Sequence, residues 1–235
     1  MIKRSFALLL LAAPVLAAQT VPPPPSVLRP ADAAIIGGAL AASAILIPFD
    51  SRIVEWKGIP AFRNSPGVHR TLSATAFLGG PGTLIASGAL YAAGRIAKDR
   101  NLAIDGEAAL EAATISGAVT FMVKGIAGRA RPLVDSTRAD DFALLRGFRG
   151  DDLYRSFPSG HTTVAFAFAT ALATRLSHRH DASAGWAGPA AFTLATFTGV
   201  SRIFYHDHWF TDCLTGAAIG TVSGLAVARW HERHP

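Results

Sequence analysis

From Thr71 to Gly94 the chain carries no Asp, Glu, Lys or Arg, and five other stretches share that composition. They run from Ala33 to Phe49, Ala112 to Val123, Ser156 to Thr174, Ala182 to Ser201 and Cys213 to Ala228. With their polar ends included, most approach the ~20 residues a helix needs to cross a bilayer. A helix on the surface of a water-soluble domain shows a charged stripe, and the Thr71 to Gly94 run has none. Gly, Ala, Ser and Thr are dense in these segments, as expected where membrane helices pack closely. Pro81 and Pro189 would bend two of them, which neighbouring helices tolerate. The pattern predicts an all-α fold: a six-helix up-and-down bundle, transmembrane, with its active site at one end. No strand and no internal repeat is evident.

The chain ends read differently. Lys3 and Arg4 precede an apolar stretch from Phe6 to Leu16, and Ala17 or Ala18 offers a small-residue cleavage point, so residues 1–18 resemble a secretory signal. Residues 19–30, with Pro22 to Pro25, read as an extended linker, and residues 31–235 as the helical domain. The formal net charge of +6 is spread along the chain without a basic run. That excludes a nucleic-acid footprint and suits an anionic substrate or lipid headgroups. Cys213 is the sole cysteine, so no internal disulfide can form, and it reads as a buried structural thiol. No protein partner can be inferred.

Three separated pieces carry the chemistry. The first is Lys124, then Arg131-Pro132: seven residues apart, the two cations share a face if the helix runs on to Arg131, where Pro132 would end it. A guanidinium fork and an ammonium are the usual neutralisers of phosphate oxygens. The second is Pro158-Ser159-Gly160-His161, at the start of an apolar helix whose first amides favour an anion. The third is Ser201-Arg202, then His208 and Asp212 spaced i, i+4, where the carboxylate can orient one imidazole nitrogen and leave the other as nucleophile. Together they suit in-line phosphoryl transfer through a phosphohistidine, with no metal and no cofactor required.

Lys124-x6-Arg131-Pro132, Pro158-Ser159-Gly160-His161 and Ser201-Arg202-x5-His208-x3-Asp212 resemble the tripartite signature of the type 2 phosphatidic acid phosphatase superfamily. Lipid phosphatases, bacterial class A acid phosphatases and vanadium haloperoxidases share that signature. The resemblance implies His208 as nucleophile, Asp212 as its orienting carboxylate, and His161 as the acid that protonates the leaving oxygen and later activates water. It implies Lys124, Arg131, Arg202 and the amides of Ser159 and Gly160 as the cradle for the non-bridging oxygens. The substrate class is then a phosphomonoester or diphosphate, carried by a membrane lipid (phosphatidic acid, phosphatidylglycerol phosphate, isoprenoid diphosphate) or a small ester.

Other readings stand beside this one. The chain could be a soluble periplasmic acid phosphatase, a vanadium-dependent haloperoxidase, or a membrane protein that only binds a phospholipid. His206-Asp207-His208 with Asp212 could form a metal cluster, though cations around a site argue for an anion. Asp140-Asp141 and Asp151-Asp152 read as a solvated charged loop, and His178, His180, His231 and His234 have no partner nameable from sequence. The connector from Leu133 to Phe157 arches over the site and reads either as a lid or lipid-entry rim or as an ordinary packed loop. The membrane expected is a bacterial-type inner membrane with the site facing the periplasm. That sidedness conflicts with six full spans following a cleaved signal, and counting Lys and Arg does not settle it.

Overall fold

The computed structural model describes residues 26–55 and 60–234. The signal-like segment and most of the linker lie outside these. Among the described residues the chain is all helix and turn: α1 (Pro30–Glu55), the single turn α2 (Pro60–Arg63), α3 (Pro66–Gly79), α4 (Pro81–Ala97), α5 (Arg100–Ala127), α6 (Gly160–His178), α7 (Ala184–Phe204) and α8 (Phe210–Arg233). The long uncharged run from Thr71 to Gly94 is two helices, α3 and α4, bent by 57° at their junction. Pro81 opens α4, lacks an amide hydrogen and keeps Gly80 out of helical geometry. Counting that bent pair as one rod leaves six long rods alternating in direction. Pro189, in the second turn of α7, does not end its helix.

Small residues decide the packing. Gly216, Gly220 and Gly224 repeat along one face of α8, and a Cβ at any of them would run into α6 between Ser159 and Ala171. The backbones of α6 and α8 therefore lie closer than larger side chains would allow. α5 joins them through Ala108 and Ala112, which pack against Ala167, Ala171 and Val227. Around this centre α1 leans on α8, α4 on α5, and α7 on α6 and α3.

The outside of the bundle is greasy. Among the described residues α1, α5 and α8 are each long and apolar enough to cross a membrane, and the bent pair α3–α4 is apolar enough for a fourth, broken span or a re-entrant loop. Ile45 is 70% exposed and Ile85 63%, with Leu40, Phe77, Phe121 and Phe197 also facing outward. Such surface is stable against acyl chains and costly against water. The chain is an integral membrane protein, and the water-soluble bundle considered from the sequence is set aside.

Candidate active site

The end of α5 departs from the sequence expectation. The helix stops at Ala127, not at Arg131, because Gly128 takes the left-handed conformation (φ 54°) and its amide bonds back to the Lys124 carbonyl. Residues Arg129 to Arg131 leave as an extended tract stitched to the connector: Ala130 N donates to Asp141 O at 3.0 Å and Arg131 N to Leu153 O at 2.8 Å. Lys124 and Arg131 therefore approach the site from different directions. Lys124 Nζ donates to the carbonyls of Arg155 and Ser156, the latter at 3.2 Å. It lies beside Gly160, where an added Cβ would sit 3.7 Å from Lys124 Cε.

Arg131 and Arg202 converge on one carboxylate. Arg202 Nη2 pairs with Asp207 Oδ2 at 2.6 Å, and Arg131 Nη1 lies 3.7 Å from Asp207 Oδ1. Arg131 Nη2 also pairs with Asp152 Oδ2 at 2.5 Å. The Nε–H of Arg202 is buried with no acceptor. Of the connector acids, Asp140, Asp151 and Asp152 are exposed, as the sequence suggested, and Asp141 is half-buried and pairs with Arg146 at 3.0 Å. Asp207 faces cations, and no group of three or more His, Cys, Asp and Glu with metal-holding geometry forms among the described residues. The metal reading of His206-Asp207-His208 has no geometric support.

Ser159 takes the N-cap position of α6, but its side chain does not cap the helix. Its amide donates to the Asp212 carbonyl at 3.0 Å, and its hydroxyl meets Thr162 Oγ1 at 2.9 Å. The amide expected to hold phosphate is engaged in this structure in joining α6 to α8. Gly160 remains at the open start of the helix, where the amides have no carbonyl behind them. His161 follows in the first turn, its ring lying on the bend between α3 and α4. A Cβ on Gly80 would come 2.6 Å from His161 Nε2, so the absence of a side chain there admits the imidazole.

His208 precedes α8 instead of opening it, in a loop folded back on Arg202, whose carbonyl accepts the amides of Asp207 and His208 at 3.0 and 3.2 Å. The i, i+4 spacing still brings its Nδ1 to 3.5 Å from Asp212 Oδ2. This is an approach just short of a formed hydrogen bond, and Nδ1 has no other partner. His208 is 2% exposed and Asp212 fully buried. Burial, then the charge of Lys124, pushes the His208 imidazole down to about 3 against the opposing pull of Asp212. At neutral pH the ring is uncharged and keeps a lone pair.

Asp212 is held from every side. Its Oδ2 accepts from Trp209 N at 2.9 Å and Ser156 Oγ at 2.5 Å, and its Oδ1 from Arg129 Nη1 at 2.6 Å. Arg129, Ser156, Gly80 and Asp50 adjoin the site without standing out from sequence, and Asp207 stands out there only as a candidate metal ligand. A signal existed for Asp50, a lone carboxylate at the end of an apolar run, since an ionisable group at membrane depth needs a partner. The connector carries Phe142 under the Arg129 guanidinium, 4.9 Å from its carbon. Leu144, at 75% exposure, points outward from the same loop.

The model of the PAP2 superfamily matches residues 108–235, more than half of the chain, and the chain belongs to that superfamily. A lipid A 1-phosphatase of Porphyromonas gingivalis is 45% identical over 69 residues, 29% of this chain and 15% of that protein. A second, from Rhizobium johnstonii, is 31% identical over 113 residues, 48% of this chain and 42% of that protein. The matched stretches thus span less than half the length of these relatives. Among solved structures, the transmembrane PAP2 type phosphatidylglycerolphosphate phosphatase from Bacillus subtilis superposes with a TM-score of 0.65 at 20% identity, over 87% of this chain and 97% of that one. Aquifex aeolicus LpxE gives 0.52 at 24% identity, over 71% and 88%. At those identities the likeness is one of fold.

Proposed function

We propose that this chain is a membrane phosphatase that removes a phosphate from a lipid by double displacement through phosphorylated His208. One observation supports it above the rest: the buried, uncharged His208 has one ring nitrogen facing a pinned carboxylate, while Arg131 and Arg202 converge on the adjoining residue. In the first step Nε2 of His208 attacks phosphorus, the bond to the leaving oxygen breaks, and His161 gives that oxygen a proton. Asp212 stabilises the ring, which becomes cationic when its second nitrogen is substituted. In the second step His161 takes a proton from water, the oxygen attacks the phosphohistidine, and inorganic phosphate leaves with His208 restored.

Lys124, Arg131 and Arg202, with the Gly160 amide, hold the non-bridging oxygens as charge moves towards the leaving group. Asp207 lies where two arginines would grip a phosphate, so the incoming dianion takes over both guanidinium groups from it. The relatives named lipid A 1-phosphatase support a glycolipid phosphate as the substrate class. The open apolar flanks and the exposed connector leucines suit acyl chains arriving from the bilayer. Residues 31–235 form the catalytic unit after the signal-like segment (1–18) and linker (19–30), in an inner membrane; a site towards the periplasm requires that segment 1–18 does not carry the start of α1 across.

The test is phosphoenzyme trapping with a radiolabelled lipid phosphate. Wild type gives an acid-labile label, and His208→Ala gives neither label nor turnover, a loss of at least 10³-fold. Ordinary turnover in His208→Ala would refute the nucleophile.

A further inference from the structure

We infer that Asp50, on the first membrane helix and outside the residues that the family model matches, is a positioning residue for the reaction, acting through Arg129 on Asp212. The inference rests on the phosphohistidine reading of the site. Three charged side chains form a line with no exposure to solvent: Asp50, Arg129 and Asp212 are each 0% accessible. Arg129 Nη2 reaches Asp50 Oδ2 at 2.8 Å and Arg129 Nη1 reaches Asp212 Oδ1 at 2.6 Å. The guanidinium has no freedom left. Its Nε and Nη2 donate to the Ala139 carbonyl at 3.0 and 2.5 Å, Nη1 also donates to Thr211 Oγ1 at 2.8 Å, and it stacks 5.2 Å from the Trp209 ring centre. Asp50 is fixed in turn, accepting from Thr211 N at 3.1 Å and Thr211 Oγ1 at 2.5 Å.

The charge count gives this line a catalytic consequence. Two carboxylates share one guanidinium, so with both ionised the buried unit carries one negative charge. If Arg129 met Asp212 alone, the pair would be neutral and would offer little to a cation. With Asp50 drawing on the other arm of the fork, Asp212 keeps charge to offer the imidazole 3.5 Å away. That charge is needed when the phosphoryl group joins His208 and the ring turns cationic. In a dry site a charge at this range is worth far more than in water. The matched family segment begins at residue 108, so the first helix supplies a part of the site that the signature residues lack.

The test is Asp50→Asn in the full-length protein in detergent, with a short-chain lipid phosphate as substrate. Asparagine keeps one oxygen for Arg129 and the Thr211 hydroxyl and removes the charge together with the acceptor of the Thr211 amide, a loss that the unfolding temperature reads separately. The expected result is a kcat at least tenfold lower with KM within twofold. Vanadate affinity, measured by calorimetry, should weaken in step, because vanadate on His208 stands in for the transferring phosphoryl group. Arg129→Gln should cost as much, and the double variant no more than the worse single one. A merely structural role predicts a lower unfolding temperature with kcat and vanadate affinity unchanged, and that result overturns the inference.

If Asp50→Asn does not accumulate folded, Arg129→Lys keeps the charge but loses the two-armed fork. A tenfold loss of kcat there supports the relay, and wild-type kcat overturns it. Should the wild type itself release no phosphate, the proposed function fails on its own, and the vanadate comparison still decides the role of Asp50.

Discussion

The two ends of the bundle both bury ions, and they treat them differently. At the far end, opposite the candidate site, the charged groups pair with each other, and their buried atoms left without a hydrogen bond are carboxylate oxygens (Asp32 Oδ1, Glu232 Oε1), not cations. Asp105 of α5 meets Arg175 at 3.3 Å and also Arg179, which pairs with Asp181 at 2.9 Å. There too α1 is tied to α8 by Asp32 and Arg229 at 2.6 Å. At the site end the account is left open. Lys124 is met by two carbonyls, Arg202 has an idle Nε–H, His208 Nδ1 has no hydrogen bond, and one aspartate serves two arginines. Matched ion pairs fasten helices, whereas cations short of partners wait for an anion. The difference marks which end does chemistry better than any single residue does.

The same substitution at the two ends should therefore have opposite consequences. Asp105→Asn at the far end strands the Arg175 guanidinium and leaves Arg179 only Asp181, a loss of about 3–5 kcal/mol of stability. Its folded fraction should turn over at the wild-type rate, as measured by kcat against the amount of protein surviving thermal challenge. A large fall in kcat per folded molecule would erase the distinction between the ends. Asp207→Asn at the site end should do the reverse. Releasing Arg131 and Arg202 from their shared carboxylate should tighten vanadate binding several-fold and leave the unfolding temperature within a degree or two. Weaker vanadate binding would mean that Asp207 aligns the arginines more than it competes with phosphate.

The last expected effect concerns pH. His208 has its pKa lowered on folding from 6.5 to about 3. Between those values the unfolded chain binds the proton and the folded chain does not, so stability falls as pH drops from 6.5 towards 3. Removing the imidazole with His208→Asn should flatten that part of the unfolding-temperature profile. A profile unchanged by the substitution would show that the ring is not held neutral.

Several histidines dismissed from sequence have partners. His178 meets Glu232 at 2.6 Å and His231 meets Glu111 at 2.9 Å, pairs separated by more than fifty residues in each case. They fasten the far end. The connector follows the same logic, since Arg146 and Arg155 reach the carbonyls of Gly128 and Gly147 and hold it folded over α5. No local pattern announces such contacts, because each depends on where another helix happens to finish.

What could be read without coordinates was whatever local chemistry controls. Uncharged runs of spanning length demand helices, since only a helix satisfies its own backbone in lipid, and the alternating ends place Lys124, His161, Arg202 and His208 on one side. The residue types for phosphate chemistry were legible for a similar reason: their order along the chain is fixed by the helices that carry them. Tertiary structure alone decided the rest. It broke one span at Gly80 against His161, ended α5 at Gly128, used the Ser159 amide to join two helices, and brought Asp50 across 79 positions to the arginine that holds Asp212. Those outcomes depend on close approach between distant segments, where the low dielectric makes one buried charge answer for another. A linear pattern carries no record of that distance.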